Sequence, residues 1–189
     1  MTAAMRHAGR PLPVGPTRIL AVICLAMTSS AVFSGGAAAR TAPLRLAPSG
    51  VGPVRFGMDA RQASAALGAQ VEVAPGINGC SFWTLPGLAN GVQTIAFHGR
   101  VAYSEIFRRG PKTTRGITVG DGINRLRHRY RGRLHGGRSA SLGAAESRLF
   151  ASEVRGDATY ELEFDIWHSR VAHISAGTRR TIETFGECA

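Results

Sequence analysis

The feature that most constrains this chain is internal. The string FHGRVAY at Phe97 to Tyr103 returns as WHSRVAH at Trp167 to His173, identical at four of seven positions. Each string runs from an aromatic through a two-residue His-Gly or His-Ser turn into an alternating pattern, which predicts a strand end, a tight hairpin and a second strand. A further match lies upstream and in the same order. GPVRFGMDARQASAALG at 52–68 faces RGITVGDGINRLRHRYRG at 115–132, pairing Val54 with Ile117, Phe56 with Val119, Gly57 with Gly120, Ala63 with Leu126 and Leu67 with Tyr130. In both, an extended piece ends at a Gly and a helix begins: Asp59 can cap the first, and Asp121 or Gly122 can begin the second. The apolar positions recur at the spacing of a buried helical stripe.

Two matches in one order predict an α+β domain of two tandem repeats, each a short helix packed on an antiparallel β-meander. The first repeat is expected over about 50–109, with strands near Cys80–Leu85, Val92–Phe97 and Arg100–Arg108. The second is expected over about 113–176, with strands near Arg148–Glu153, Thr159–Trp167 and Arg170–Ala176, and an inserted Gly-, Arg- and Ser-rich loop at 132–143. A short linker (40–49) precedes the repeats and a tail (177–189) follows them. The clearest strand alternates Tyr160, Leu162, Phe164 and Ile166 on one face with Glu161, Glu163 and Asp165 on the other, so one face packs and the other is wet or shared.

The amino-terminal 39 residues read as a signal peptide. Arg6, Arg10 and Arg18 stand without an acid before an apolar run from Ile19 to Phe33, and Ala37 with Ala39 offers a cleavage pattern before Arg40. The run is shorter than the ~20 apolar residues of a spanning helix, so no membrane span is expected after cleavage. Cys24 lacks a lipobox, since Ile23 precedes it, and a lipoprotein is not expected. Cys80 and Cys188 remain, and in an oxidising compartment two cysteines favour a disulfide over metal binding.

Charge is concentrated. Formal net charge is +11, and the stretch from Arg108 to Arg138 holds ten basic residues against Asp121 alone. Within it Arg125, Arg127, Arg129, Arg131 and Arg133 fall at every second position, which on a helix spreads them over both flanks of the buried stripe. Such a flank suits an anionic head group, a wall polymer or an acidic protein face. The plain alternative is a solvated surface in an arginine-rich chain. Nucleic acid is not an expected partner of an exported protein; loose association with a membrane surface is compatible with the charge.

Other candidates have equally plain readings. Glu161, Glu163 and Asp165 have the spacing of a cation site or an acid/base pair, but Arg148 and Arg170 on neighbouring strands can neutralise them. His98 and His168 follow from the repeat, and no free thiolate completes a zinc set, so no metal and no cofactor are expected. No nucleophile elbow or phosphate loop appears, and Ser139 and Ser141 sit in the inserted loop. Phe82 reads as cover for the disulfide, while Trp83 and Trp167 are candidate binding residues.

The order Val54-Arg55-Phe56-Gly57-Met58-Asp59, Ala66-Leu67-Gly68, Gly99-Arg100-Val101, Ile117-Thr118-Val119-Gly120-Asp121 and a terminal Glu187-Cys188-Ala189 resembles small exported proteins of actinobacteria. Their architecture is similar to the tandem-repeat fold of the β-lactamase inhibitor proteins and of the small lipoprotein of the barrel assembly machinery. These motifs mark turns and helix starts, so the resemblance implies a fold and carries no binding residue. The function expected is a secreted, non-enzymatic binding module of the envelope or extracellular space, engaging a protein or anionic macromolecule through a sheet face and a basic helix flank. The alternatives are a small secreted hydrolase or metal-dependent enzyme, and a structural envelope component without a discrete ligand.

Overall fold

A computed structural model describes residues 43–136, 147–184 and 188. The expected leader (1–39), Ser139, Ser141 and the part of the inserted loop beyond Gly136 lie outside the described residues. The chain is α+β with antiparallel sheets and few helices. Three short strands, β1 (Leu46–Ala47), β2 (Gly50–Val51) and β3 (Val54–Arg55), pair as a small sheet in that order. Then come α1 (Ala60–Leu67), β4 (Glu72–Pro75), β5 (Cys80–Thr84), β6 (Val92–Phe97) and β7 (Arg100–Ile106). The remainder is α2 (Ile123–Arg129), β8 (Leu134–His135), β9 (Ser147–Arg155), β10 (Ala158–Trp167), β11 (Arg170–Thr178) and α3 (Arg179–Thr184). Strands β4 to β11 form one eight-stranded sheet, order β4-β5-β6-β7-β11-β10-β9-β8. Two meanders meet edge to edge where Ile106 pairs with Ile174 and Tyr103 with Gly177.

Each expected strand is present, with ends moved by at most two residues. Strand β3 falls on the extended piece expected before the first helix, while β1, β2, β4, β8 and helix α3 are additions. Within the stretch expected as a linker, Leu46 forms part of β1 and is 2% exposed. The stretch expected as a tail carries the end of β11 and α3.

Local chemistry accounts for the helix starts. Asp59 caps α1: its carboxylate accepts from Gln62 N (2.9 Å), while Gln62 Oε1 accepts from Asp59 N (3.0 Å), a reciprocal box. Gly68 ends α1 in the left-handed conformation at φ 65°. Helix α2 follows Gly122 at the cap position, which has no side chain to cap with, and the neighbouring Asp121 carboxylate turns back to accept from Thr118 N at 3.1 Å.

Both hairpin tips are left-handed at two successive residues: His98 (φ 47°) and Gly99 (φ 73°), and His168 (φ 47°) and Ser169 (φ 61°). This is the tight turn whose twist suits antiparallel strands. The bonds around the tips recur. Gly57 N donates to Val101 O (2.7 Å) and Val101 N to Met58 O (2.9 Å); Gly120 N donates to Val171 O (2.7 Å) and Val171 N to Asp121 O (2.8 Å). Arg100 Nη1 donates to Gly57 O at 2.9 Å, and Arg170 Nη1 to Gly120 O at 3.0 Å.

One face of the large sheet meets α1, α2 and the small sheet. Trp83, Val101, Ile106, Leu162, Phe164, Ile166 and Ile174 pack there with Ala63, Leu126 and Tyr130 from the helices. Leu126 and Phe164 have no exposed surface, and full burial of such side chains contributes about 1.5–3 kcal/mol each. The other face is divided. Over β5 to β7, Cys80, Ile95 and Tyr103 pack with Cys188, Phe82 and Ile182. Cys80 and Cys188 are joined by a disulfide with Cα atoms 5.7 Å apart. Over β9 to β11, the same face is ionic.

Candidate functional site

Two surfaces carry chemistry. The first begins with the turn between the two meanders. Thr113 N donates to Ile117 O (2.8 Å), Gly116 N donates to Thr113 O (2.9 Å), and the buried Thr113 hydroxyl receives Tyr130 Oη–H at 3.0 Å. The turn is thereby tied to the end of α2. Strand β1 runs alongside it, with Leu46 N donating to Lys112 O (3.1 Å) and Thr114 N to Leu46 O (2.8 Å). These bonds bring Arg45, Lys112 and Arg115 beside Arg125 and Arg129, one helical turn apart on α2. The recess between them has a volume of about 500 Å³, with Thr114 and Gly116 completing its wall and no acid among its lining residues.

Two of the five cations are held in place. The Arg115 guanidinium lies 5.4 Å from the centroid of the Tyr130 ring and donates to Arg129 O, the carbonyl end of α2, at 3.3 Å. Arg125 Nε lies 3.4 Å from Asp121 Oδ2. A concavity lined by one sign of charge focuses potential and concentrates counter-ions.

The five arginines expected as one candidate group therefore divide. Arg125 and Arg129 enter the recess. Arg127 is exposed elsewhere on α2, and Arg131 and Arg133 lie beyond its end, exposed, with Arg133 beside Glu153 on an adjoining cleft that shares Thr114 and Arg115 with the recess. Arg45 was not expected there. Lys112 and Arg115 fall within the basic stretch but not within its alternating run. Trp83 is 4% exposed on the core face, its indole N–H donating to Ser81 Oγ at 2.9 Å, so it presents no binding surface. Trp167 is 47% exposed.

No family model, curated protein or solved structure matches this chain.

The second surface is the ionic half of the sheet. Glu161 and Glu163 are buried, 3% and 5% exposed, so the face expected to be wet or shared is covered by other parts of the chain along much of β10. Arg148 Nε lies 3.0 Å from Glu163 Oε1 and 3.3 Å from Asp165 Oδ1. Glu161 is met by Arg179 of α3 at 3.2 Å, by His135 at 3.6 Å and by the Ser152 hydroxyl at 3.3 Å. Arg170, expected to share this neutralisation, instead caps Gly120 O. His173 links the row to β7, with Nε2 2.9 Å from Glu105 Oε2 and Nδ1 3.6 Å from Asp165 Oδ2.

Burial, reinforced by the charge of Asp165, pushes the Glu163 carboxyl up to about 7 against the opposing pull of Arg148. For His173 burial disfavours the imidazolium, but hydrogen bonds to Asp165 and Glu105 outweigh it and raise the group to about 9. Tyr103 Oη, 2.8 Å from Ser175 Oγ and 3.1 Å from Glu105 Oε2, is raised above its ordinary value by burial. Among the described residues, no three His, Cys, Asp or Glu side chains are grouped to hold a metal ion, and no helix is long and apolar enough to cross a membrane.

Proposed function

We propose that this protein is an exported, non-enzymatic binding module that holds a phosphate-bearing or otherwise polyanionic macromolecule in the recess of Arg45, Lys112, Arg115, Arg125 and Arg129. The observation that carries the reading is the convergence of five cations from three separated segments on one concavity with no acid in its lining. A merely solvated surface spreads like charges apart, since their mutual repulsion is relieved by distance. Here bonds to Thr113, Leu46 and the end of α2 hold them together. Export rests on the basic start and apolar run of the chain, together with the Cys80–Cys188 disulfide.

The scaffold we infer is two copies of one unit, of the kind that resembles the β-lactamase inhibitor fold. What supports it is an offset of seventy shared by all the hairpin landmarks, and one of sixty-three shared by the helix-start pairs upstream. Ile95 pairs with Tyr103, Ala96 with Val101 and Phe97 with Arg100, with a bulge after Ile95; Asp165 pairs with His173, Ile166 with Val171 and Trp167 with Arg170, with a bulge after Asp165.

Titration of the exported protein with inorganic polyphosphate tests the reading. Saturable binding is expected, weakened by rising salt and weakened at least about tenfold, or ~1.4 kcal/mol, when Arg125→Glu and Arg129→Glu are combined. Arg127→Glu has a smaller effect because Arg127 lies outside the recess. Binding that the double variant leaves unchanged would refute the site.

A further inference from the structure

The same inferred repeat places two equivalent recesses on the sheet face opposite α1 and α2. The first is lined by Ile95, Phe97, Ala102 and Tyr103, and is roofed by Thr184 and Cys188 of the chain's own C-terminal stretch. The second is lined at the offset positions, Asp165, Trp167, Ala172 and His173, together with Arg148 and Ser147. Among the described residues none of the C-terminal stretch lines it, and its volume is about 270 Å³. The disulfide and Ile182 hold the roof over one recess. Phe97 and Trp167 themselves are about equally exposed, at 44% and 47%, so the recesses differ in what stands beside the aromatic.

The substitutions between the two recesses have a chemical direction. At the equivalent positions Asp165 stands for Ile95, His173 for Tyr103 and Trp167 for Phe97, so the second recess carries ionisable groups on the sheet itself beside a larger aromatic plate, whereas the polar side chains facing the first include Arg180 and Thr181 of α3. The polar groups are held from behind. Arg148 Nε is buried against Glu163 and Asp165, while 41% of the side chain stays exposed. Asp165 is 33% exposed between Arg148 and His173, and His173 is 28% exposed and fixed by Glu105. Carboxylates and cations are interleaved, so the recess has no single sign with which to select an ion. It presents fixed donors and acceptors close together beside an exposed indole face.

Pyranose rings carry the complementary set. One face of such a ring is a patch of C–H groups that stacks on an aromatic plate, and its rim carries hydroxyls that both donate and accept, matching a carboxylate and a guanidinium side by side. We infer that the recess formed by Trp167, Asp165, Arg148 and His173 binds a neutral pyranose unit of a glycan. This site is separate from the cationic recess. Helix α2 covers the sheet face that carries Phe164, whereas Asp165 and His173 project from the other.

The two tryptophans make the test direct, because Trp83 is buried and Trp167 is exposed. The exported protein is titrated with chitohexaose, cellohexaose, maltohexaose and xylohexaose while tryptophan emission is followed. At least one oligosaccharide is expected to give a saturable blue shift or quench, with Kd on the order of 0.1–1 mM. Trp167→Ala, followed by calorimetry because the reporter is lost, is expected to weaken that binding at least about tenfold, and Asp165→Asn several-fold. Excess inorganic polyphosphate is expected to leave the sugar signal in place. Thermal unfolding of each variant shows that the fold persists. Absence of saturable binding to every oligosaccharide would overturn the site, as would undiminished binding by a folded Trp167→Ala protein. A peptide ligand that needs Trp167 while no sugar binds would also overturn it.

Discussion

Glu163 stands almost fully buried between Arg148 and Asp165, and its carboxyl is raised to about 7 from 4.5 by that burial and by its acidic neighbour. The folded protein therefore binds this proton more tightly than the unfolded chain does. The stabilising effect of that proton is complete below pH 4.5 and is lost as pH rises towards 7. His173, raised to about 9 from 6.5 by its hydrogen bonds, acts in the same direction over a later window: its contribution is full below 6.5 and is lost as pH rises through 9. Stability from this pair falls in two stages. Glu163→Gln, which cannot ionise, is expected to remove on the order of 1–3 kcal/mol of the decline between pH 4.5 and 7 and to leave the later stage in place. Urea unfolding across that range measures it. A variant whose stability falls as steeply as the native protein's would show that Glu163 is ionised throughout.

The helices and hairpins show which elements were legible in the sequence and which were not. Strand β10 carries a clean two-residue alternation, and Asp59 with Gln62 forms a local capping box, so both could be read from neighbours in the chain. Asp59→Ala is expected to lower stability by about 1 kcal/mol. An unchanged urea midpoint would mean that packing of Ala63 alone holds α1. The burial of Glu161 and Glu163 was not legible, because what covers and pairs with them comes from α3, β9 and β8, distant in sequence and weak in local pattern. Helix α3 spans six residues without a buried one, too short for an apolar stripe to show. The cationic recess was legible in part. Its two helical arginines lay in an evident basic run, but Arg45 joins them only through the pairing of β1 with the turn at Thr113, a contact between two-residue fragments. Trp83 and Trp167 looked alike as aromatics near strand ends, and only their opposite sheet faces separate core from surface.

Across the whole molecule, the two meanders share hairpins, bulges and the Gly-to-hairpin bonds, and differ in what they leave on the surface. The first lines its recess in part with the disulfide-held C-terminal stretch; the second lines its recess with Asp165, Arg148 and His173 and is preceded by the basic helix. In the proposed site a defined set of cations, rather than total positive charge, holds the ligand. Arginine Nε–H resonances distinguish these when followed by nuclear magnetic resonance during titration with inorganic polyphosphate. Arg45, Arg115, Arg125 and Arg129 are expected to shift together with a single Kd while Arg127, Arg131 and Arg133 move little. Uniform shifts across all seven, or none at the four recess positions, would contradict the assignment.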